Sequence, residues 1–196
     1  MRRLLLLALL LSIASATLVA CGNDDPDTAP VATVPAGERL TITGGRTTIT
    51  LDPITAGVLS GAGVKVEPLD PAKGSATGLR LPVIGGEITS GTLAGSIEHE
   101  GGIAFVAGTR RITYSDLRID TVAEQVFAGA GTRTPVLDLD LRDVTRDDES
   151  GGAIVAKDIG ALLAAGAAEE LNAGLEVSAF VPNQVIGTIT VRVTGS

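Results

Sequence analysis

Leu137-Asp138-Leu139-Asp140-Leu141-Arg142 alternates apolar and charged residues without a break, and that two-residue period decides the fold class. In an extended strand successive side chains point to opposite faces, so the leucines share one face and Asp138, Asp140 and Arg142 the other. A helix would scatter them. Working outward, the same signature recurs in short runs. Leu79 and Leu81 precede Pro82, and Val83-Ile84 runs into a turn at Gly85-Gly86 before Glu87-Ile88-Thr89. Leu93 to His99 is followed by Gly101-Gly102 and then Ile103-Ala104-Phe105-Val106. Ile112 and Tyr114 share a face while Leu117 and Ile119 fall on the other parity, which predicts a bulge near Ser115-Asp116. Val185 to Val193 forms a further strand. Short strands punctuated by glycine pairs predict a mainly β protein, its antiparallel sheets forming a sandwich, roll or barrel.

Nearer the start, Leu40 and Ile42, then Thr48 and Thr50, alternate around Gly44-Gly45, which predicts a hairpin. Asp52-Pro53 permits a short helix over about 53–61, capped by Asp52 and burying Ile54, Val58 and Leu59. Val64, Val66 and Leu69 restart a strand. The main helix is predicted over about 158–172, with Asp158 as N-cap, Ile159, Leu162, Leu163 and Leu171 as its apolar stripe, and Gly174 as its stop. Residues 46–67 and 152–193 thus echo each other as strand, Asp-capped helix and strand, two similar units closing the ends of one sheet system.

The chain begins with a basic head, Arg2-Arg3, an apolar run from Leu4 to Leu11 and small residues at Ala14-Ser15-Ala16. That is the composition of a secretory signal peptide, assigned to residues 1–20. Its last residues, Leu18-Val19-Ala20, and the following Cys21 resemble the lipobox of bacterial lipoproteins. The resemblance implies that Cys21 carries fatty chains such as palmitate and becomes the first mature residue. The protein would then sit on the extracytoplasmic face of the cell membrane, its membrane contact made through the lipid anchor. Residues 22–37 carry three prolines and three aspartates but no periodic apolar face, and with Cys21 they form an acidic tether. At ~3.1 Å per residue it reaches roughly 50 Å. Residues 38–196 form a single β-rich domain. Cys21 is the only cysteine, so the chain has no internal disulfide.

Composition excludes several functions. The net charge of −8 becomes two units more negative when Arg2 and Arg3 leave, which argues against nucleic acid. His99 is the only histidine, and neither a Gly-x-Ser-x-Gly elbow nor a phosphate-binding Gly-x-x-x-x-Gly-Lys loop occurs. With Cys21 acylated no thiol nucleophile remains, so no catalytic residue is assigned and the chain reads as a non-enzyme. One histidine with carboxylates makes a poor zinc site. Asp138, Asp140, Asp143 and Asp147-Asp148-Glu149 supply oxygen ligands, but their spacing and the lack of a loop glycine fail a calcium loop, so no metal is assigned. Trp is absent and Tyr114 is the single tyrosine, which disfavours sugar stacking. Phe105, Phe127 and Phe180 read as core.

The series Leu81-Pro-Val-Ile-Gly-Gly86, Gly95-Ser-Ile-Glu-His-Glu-Gly-Gly-Ile103 and Leu117-Arg-Ile-Asp120 resembles exported actinobacterial proteins of the HtaA-type domain. Thr50-Leu51 through Gly63-Val64 and Val185-Ile-Gly-Thr188 extend the likeness over most of residues 46–193. The resemblance implies a β-rich secreted module whose haem-binding members use a tyrosine and a histidine. His99 falls at the place of that histidine, so His99 is the candidate ligand-binding residue and haem the only cofactor suggested. The tyrosine has no counterpart, because Pro53 to Gly63 contains no aromatic residue. From the residues alone, His99 is either a turn-flanking histidine held by hydrogen bonds or a ligand contact. Two functions follow: a non-enzymatic, lipid-anchored cell-envelope binding or structural module whose partner is a protein or envelope component, and a small-ligand lipoprotein for haem or a lipid-like molecule. In the second, the site would be His99 or an apolar cavity under the 158–172 helix. The oligomeric state stays open.

Overall fold

A computed structural model describes residues 37–75, 77–149 and 151–196, so the leader, Cys21 and nearly all of the tether lie outside the described residues. Along the chain run β1 (Arg39–Leu51), α1 (Pro53–Gly61), β2 (Val64–Leu69), β3 (Lys73–Ser75), β4 (Gly78–Thr89), β5 (Gly95–His99), β6 (Gly102–Ala107) and β7 (Arg110–Ser115). There follow β8 (Arg118–Asp120), β9 (Gln125–Ala128), β10 (Thr134–Asp140), β11 (Thr145–Glu149), β12 (Ala153–Leu163), α2 (Ala165–Leu175) and β13 (Val185–Gly195). The mainly β reading is correct, and of the three architectures offered the chain adopts the barrel.

Eight antiparallel strands close in the order β1-β13-β12-β10-β9-β8-β5-β4, with β4 pairing back onto β1. Closure leaves these strands no free edge. β3 continues the sheet from the first residues of β4, and β11 from the first half of β12. A separate sheet, β2-β6-β7, lies with both helices at the barrel end where β1 finishes and β13 begins. Phe105, Tyr114 and Phe180 pack edge to face there, at ring-centre distances of 6.2 and 5.6 Å. Phe127 is only half-buried.

Three long strands change parity midway, and each change was read from sequence as something else. In β1, Ile42 faces inward but so do Thr47, Ile49 and Leu51, because the register slips between Ile42 and Gly44. Gly44-Gly45 is therefore a bulge inside one strand and not a hairpin turn. In β4 a slip between Val83 and Gly85 carries Leu79, Leu81 and Val83 on one side of it and Ile88 on the other to the interior, so Gly85-Gly86 does not turn the chain. In β12 the slip falls between Ala156 and Ile159, with Asp158 in the left-handed region at φ 61°. These bulges add the local twist and bend that strands of 11 to 13 residues need to wrap a small barrel.

The main helix accordingly begins later than predicted. Residues 158–163 belong to β12, where Ile159, Ala161 and Leu163 are buried at period two, and α2 starts after Ala164 without a side-chain cap. Pairing on both sides with β10 and β13 outweighs the weak helical preference of a stretch containing Gly160. Asp158 caps nothing; its carboxylate accepts from Thr145 Oγ1 at 3.1 Å. Gly174 lies inside α2, where an added Cβ would come 2.3 Å from Ile112 Cδ1. It permits close packing and does not stop the helix.

α1 forms where expected. Asp52 Oδ1 accepts from the Ile54 and Thr55 backbone N–H at 2.9 and 3.1 Å. Its buried face is Thr55 and Leu59, however, whereas Ile54 is 78% and Val58 46% exposed. The parity change at Ser115-Asp116 is not a bulge: β7 lies in the three-stranded sheet and β8 in the barrel, so the chain changes sheets there. The internal echo holds for element order only, since β12 pairs with β13 while β1 and β2 lie in different sheets.

Gly86 marks where a side chain is not tolerated. Its φ is +127°, and a Cβ would sit 2.1 Å from the Ser96 carbonyl oxygen. Gly86→Ala should destabilise by about 1–3 kcal/mol. Gly57→Ala, in open space within α1, should instead stabilise by up to about 1 kcal/mol. Urea unfolding of the two variants beside the parent checks the sign of each.

Candidate functional site

The barrel interior is layered. At its middle, His99 at the end of β5 points inward from beside Leu117 and is 3% exposed. Its Nδ1 lies 3.0 Å from the Leu117 carbonyl oxygen, which has no proton to give, so Nδ1 carries the hydrogen and donates. Nε2 is then the acceptor, and the Thr47 hydroxyl donates to it at 2.6 Å. The Leu117 carbonyl also accepts the His99 backbone N–H at 3.0 Å. Both ring nitrogens and the buried hydroxyl are satisfied. Burial holds the imidazole neutral, pushing its pKa down to about 4, opposed by the Leu117 hydrogen bond.

This pair is enclosed by Ile49, Leu81, Ile119, Val126 and Ile189, with a void of about 10 Å³. The space between the barrel and the three-stranded sheet, beneath Phe105 and Tyr114, holds only about 20 Å³. Tyr114 donates its hydroxyl to Glu170 of α2 at 3.0 Å, and burial pushes its pKa up. The interior beneath the three-stranded sheet is thus packed shut, and the apolar cavity expected under the main helix is not there; the open groove at this end lies between α1 and β2, along Ala56, Ser60 and Val64.

It lies at the other end. Where β13 finishes and β12 begins, the barrel opens into an apolar cavity of about 180 Å³. Ile88, Ile97, Ile119, Ile154, Ala156 and Val191 form its wall, and Leu93, Leu141 and Val144 its rim. Two turns frame the mouth. In the β4–β5 turn, Leu93 takes a left-handed conformation, φ 59°, and the Thr121 hydroxyl donates to its carbonyl at 2.8 Å while accepting from Gly95 N–H at 2.8 Å. The β10–β11 turn supplies Leu141 and Val144, and Arg146 of β11 reaches back to the Ser90 carbonyl. Ile119 lines both the cavity and the His99 void, so the two are neighbours in the barrel, with neither His99 nor Thr47 in the cavity's lining.

The carboxylates behave as a solvated face. Asp138 accepts from Gln125 Nε2 at 2.8 Å, and Asp140 from Arg142 Nε at 2.8 Å. Among the described residues no group of three or more His, Cys, Asp or Glu is placed to hold a metal. Haem does not fit the donors either. Both His99 nitrogens are engaged around a void with room for one water molecule at most, α1 has no aromatic residue, and the mouth cavity is lined by no His, Tyr, Cys or Met. Sequence reasoning marked His99 but missed the cavity. Its residues were visible as inward positions of separate strands, and only closure brings them together.

The buried histidine predicts an acid-sensitive fold. The unfolded chain takes a proton near 6.5, the folded chain only near 4. Between those values the unfolded state binds more protons, so stability is complete above pH 6.5 and is lost as pH falls towards 4, by about 3 kcal/mol in all. In His99→Gln this dependence should vanish, leaving a protein about 1–3 kcal/mol weaker at pH 7. Denaturation at a series of pH values tests it: parallel curves for parent and variant would refute the buried neutral ring.

No protein-family model matches the chain, and no curated protein matches it. Among solved structures, the crystal structure of the C-terminal domain of HtaA from Corynebacterium glutamicum is similar, with a TM-score of 0.58 at 13% identity, over 80% of this chain and 99% of that one. The two share a fold, which bears out the β-rich body implied by the glycine-spaced motifs.

Proposed function

We propose that this chain is a non-enzymatic, lipid-anchored envelope module that holds a small apolar ligand in the mouth of its barrel. The observation that carries the reading is the 180 Å³ cavity, whose lining is aliphatic except for two threonines. Aliphatic cavities of about 150 Å³ stay dry and take up molecules the size of benzene. Its walls belong to paired strands, so the cavity is preformed and binding requires little ordering. Of the two functions open from sequence, this supports the small-ligand one, with the cavity and not His99 as the site. Beyond the hydroxyls of Thr92 and Thr121 the lining is aliphatic and holds no histidine, carboxylate or lysine to serve as a base, which supports a binding role. The lipid-anchor reading is supported by the likeness of Leu18-Val19-Ala20-Cys21 to a lipobox, and an acylated Cys21 would hold the module at the extracytoplasmic face of the membrane.

Methyl NMR during benzene titration tests the cavity. Shifts should be confined to Leu93, Ile97, Ile154 and Val191, and benzene at ten times its Kd should add about 1.4 kcal/mol to the unfolding free energy. Ala156→Phe, or the gentler Ala156→Leu, should abolish both effects while the fold persists. Dispersed shifts, or none, would refute the site. Separately, cells fed radiolabelled palmitate should label the parent protein and not Cys21→Ser; equal labelling would remove the anchor.

A further inference from the structure

The cavity's lining and its place on the chain together narrow the ligand. It offers no charge and no aromatic face. Of its two hydroxyls, Thr121 is committed to Leu93 and Gly95, while exposed Thr92 accepts from Ala94 N–H at 3.3 Å and keeps its own O–H at the rim. Such a site has no charge with which to hold an ionic head group and no ring on which to stack a planar one. It suits a flexible hydrocarbon segment, and 180 Å³ admits only the end of one.

The chain enters the barrel at this same rim. The Glu38 carbonyl accepts from Ser90 N–H at 2.8 Å, and Gly37 lies so close to the β4–β5 turn that a Cβ there would be 2.7 Å from Gly91 N. The segment running back to Cys21 therefore leaves from the mouth and not from the helical end. With Cys21 acylated, its reach limits the distance between the mouth and the bilayer to roughly 50 Å and raises the local concentration of lipid there. The arginines of the rim are each paired: Arg39 with Glu87 at 3.0 Å, Arg142 with Asp140 at 2.5 Å, Arg146 with Asp148 at 2.8 Å. Glu38 and Asp143 beside them are exposed acids, so the rim offers anionic lipid no attraction and approach to the surface depends on the tether.

We infer that the cavity takes the terminal hydrocarbon of a phospholipid acyl chain, offered to the barrel mouth by the bilayer in which Cys21 is anchored. This rests on the apolar-site and anchor readings above. The bilayer lipid is the source and not the Cys21 chains themselves, because withdrawing one of those would weaken the attachment that holds the mouth in place.

The test uses the acylated full chain reconstituted in phosphatidylcholine vesicles doped with a phosphatidylcholine whose acyl chain ends in a diazirine. After irradiation, peptide mapping should find label on the segments holding Leu93–Ile97 and Leu141–Val144. The same lipid with its diazirine on the head group should leave those segments unlabelled. Ala156→Phe should lose the tail label, and so should unanchored Cys21→Ser added to the same vesicles. Absence of tail label while benzene still shifts the lining methyls would overturn this inference and leave the apolar site standing; failure of both would remove both. Retained label in Cys21→Ser, or crosslinking from a diazirine fatty acid carried on Cys21 itself, would also overturn it.

Discussion

The pairing of β1 with β13 on one side and β4 on the other is the constraint from which the rest follows. Ile49 stands opposite Ile189 on one side and Leu79 on the other, and Thr47 opposite Val191 and Leu81. Once that seam closes, eight strands have an inside and an outside, and every inward position must be apolar or fully hydrogen-bonded. A barrel this small leaves few ways to satisfy a polar side chain in its middle. Thr47 and His99 do so by meeting each other and the Leu117 carbonyl. Neither is tolerable alone: an unpaired buried donor or acceptor costs about 1–3 kcal/mol. The pair also fixes the imidazole tautomer, since Leu117 can only accept.

Local pattern made the β class legible because it depends on period two alone, as in 137–142. Closure was not legible, because the residues that meet at the seam lie about 30 to 150 positions apart in the chain. Parity was the other obstacle. A bulge and a turn use the same residues, glycine pairs or an aspartate in the left-handed region, for the same conformational reason. Gly44-Gly45 and Gly85-Gly86 therefore read as turns, and Asp158 as a helix cap, although all sit inside continuous strands. Ser115-Asp116 erred the other way, read as a bulge where the chain passes between sheets. In α1 the Asp52 cap was readable, since it acts over three residues. Which face α1 buries was not, because that is set by β13, where Thr55 donates to the Val185 carbonyl at 2.6 Å.

His99 shows the same division at the site. A lone histidine just ahead of a glycine pair is conspicuous in any sequence. Its partners are 52 and 18 residues away, and without them burial and exposure look alike. With them, the ring is a structural element whose protonation opposes folding. The cavity was harder still, because each of its aliphatic residues is ordinary core by type and only their joint failure to fill the space is unusual.

That failure has a cost. Wherever the aliphatic wall faces about 180 Å³ of unfilled space it forfeits the dispersion contacts a filled interior would give. Filling it would be simple, since Ala94 and Ala156 line it and a larger aliphatic residue at either would occupy space now left vacant. The interior at the helical end demonstrates that this chain can pack: beneath Phe105 and Tyr114 only about 20 Å³ is left. Two ends of one barrel, built from the same strands, thus differ in whether large side chains fill them. The open end is also the one with a strained, hydrogen-bonded turn at Leu93 and with the incoming chain at its rim. A cost confined to one place and removable by one substitution is best understood as the condition of binding something there.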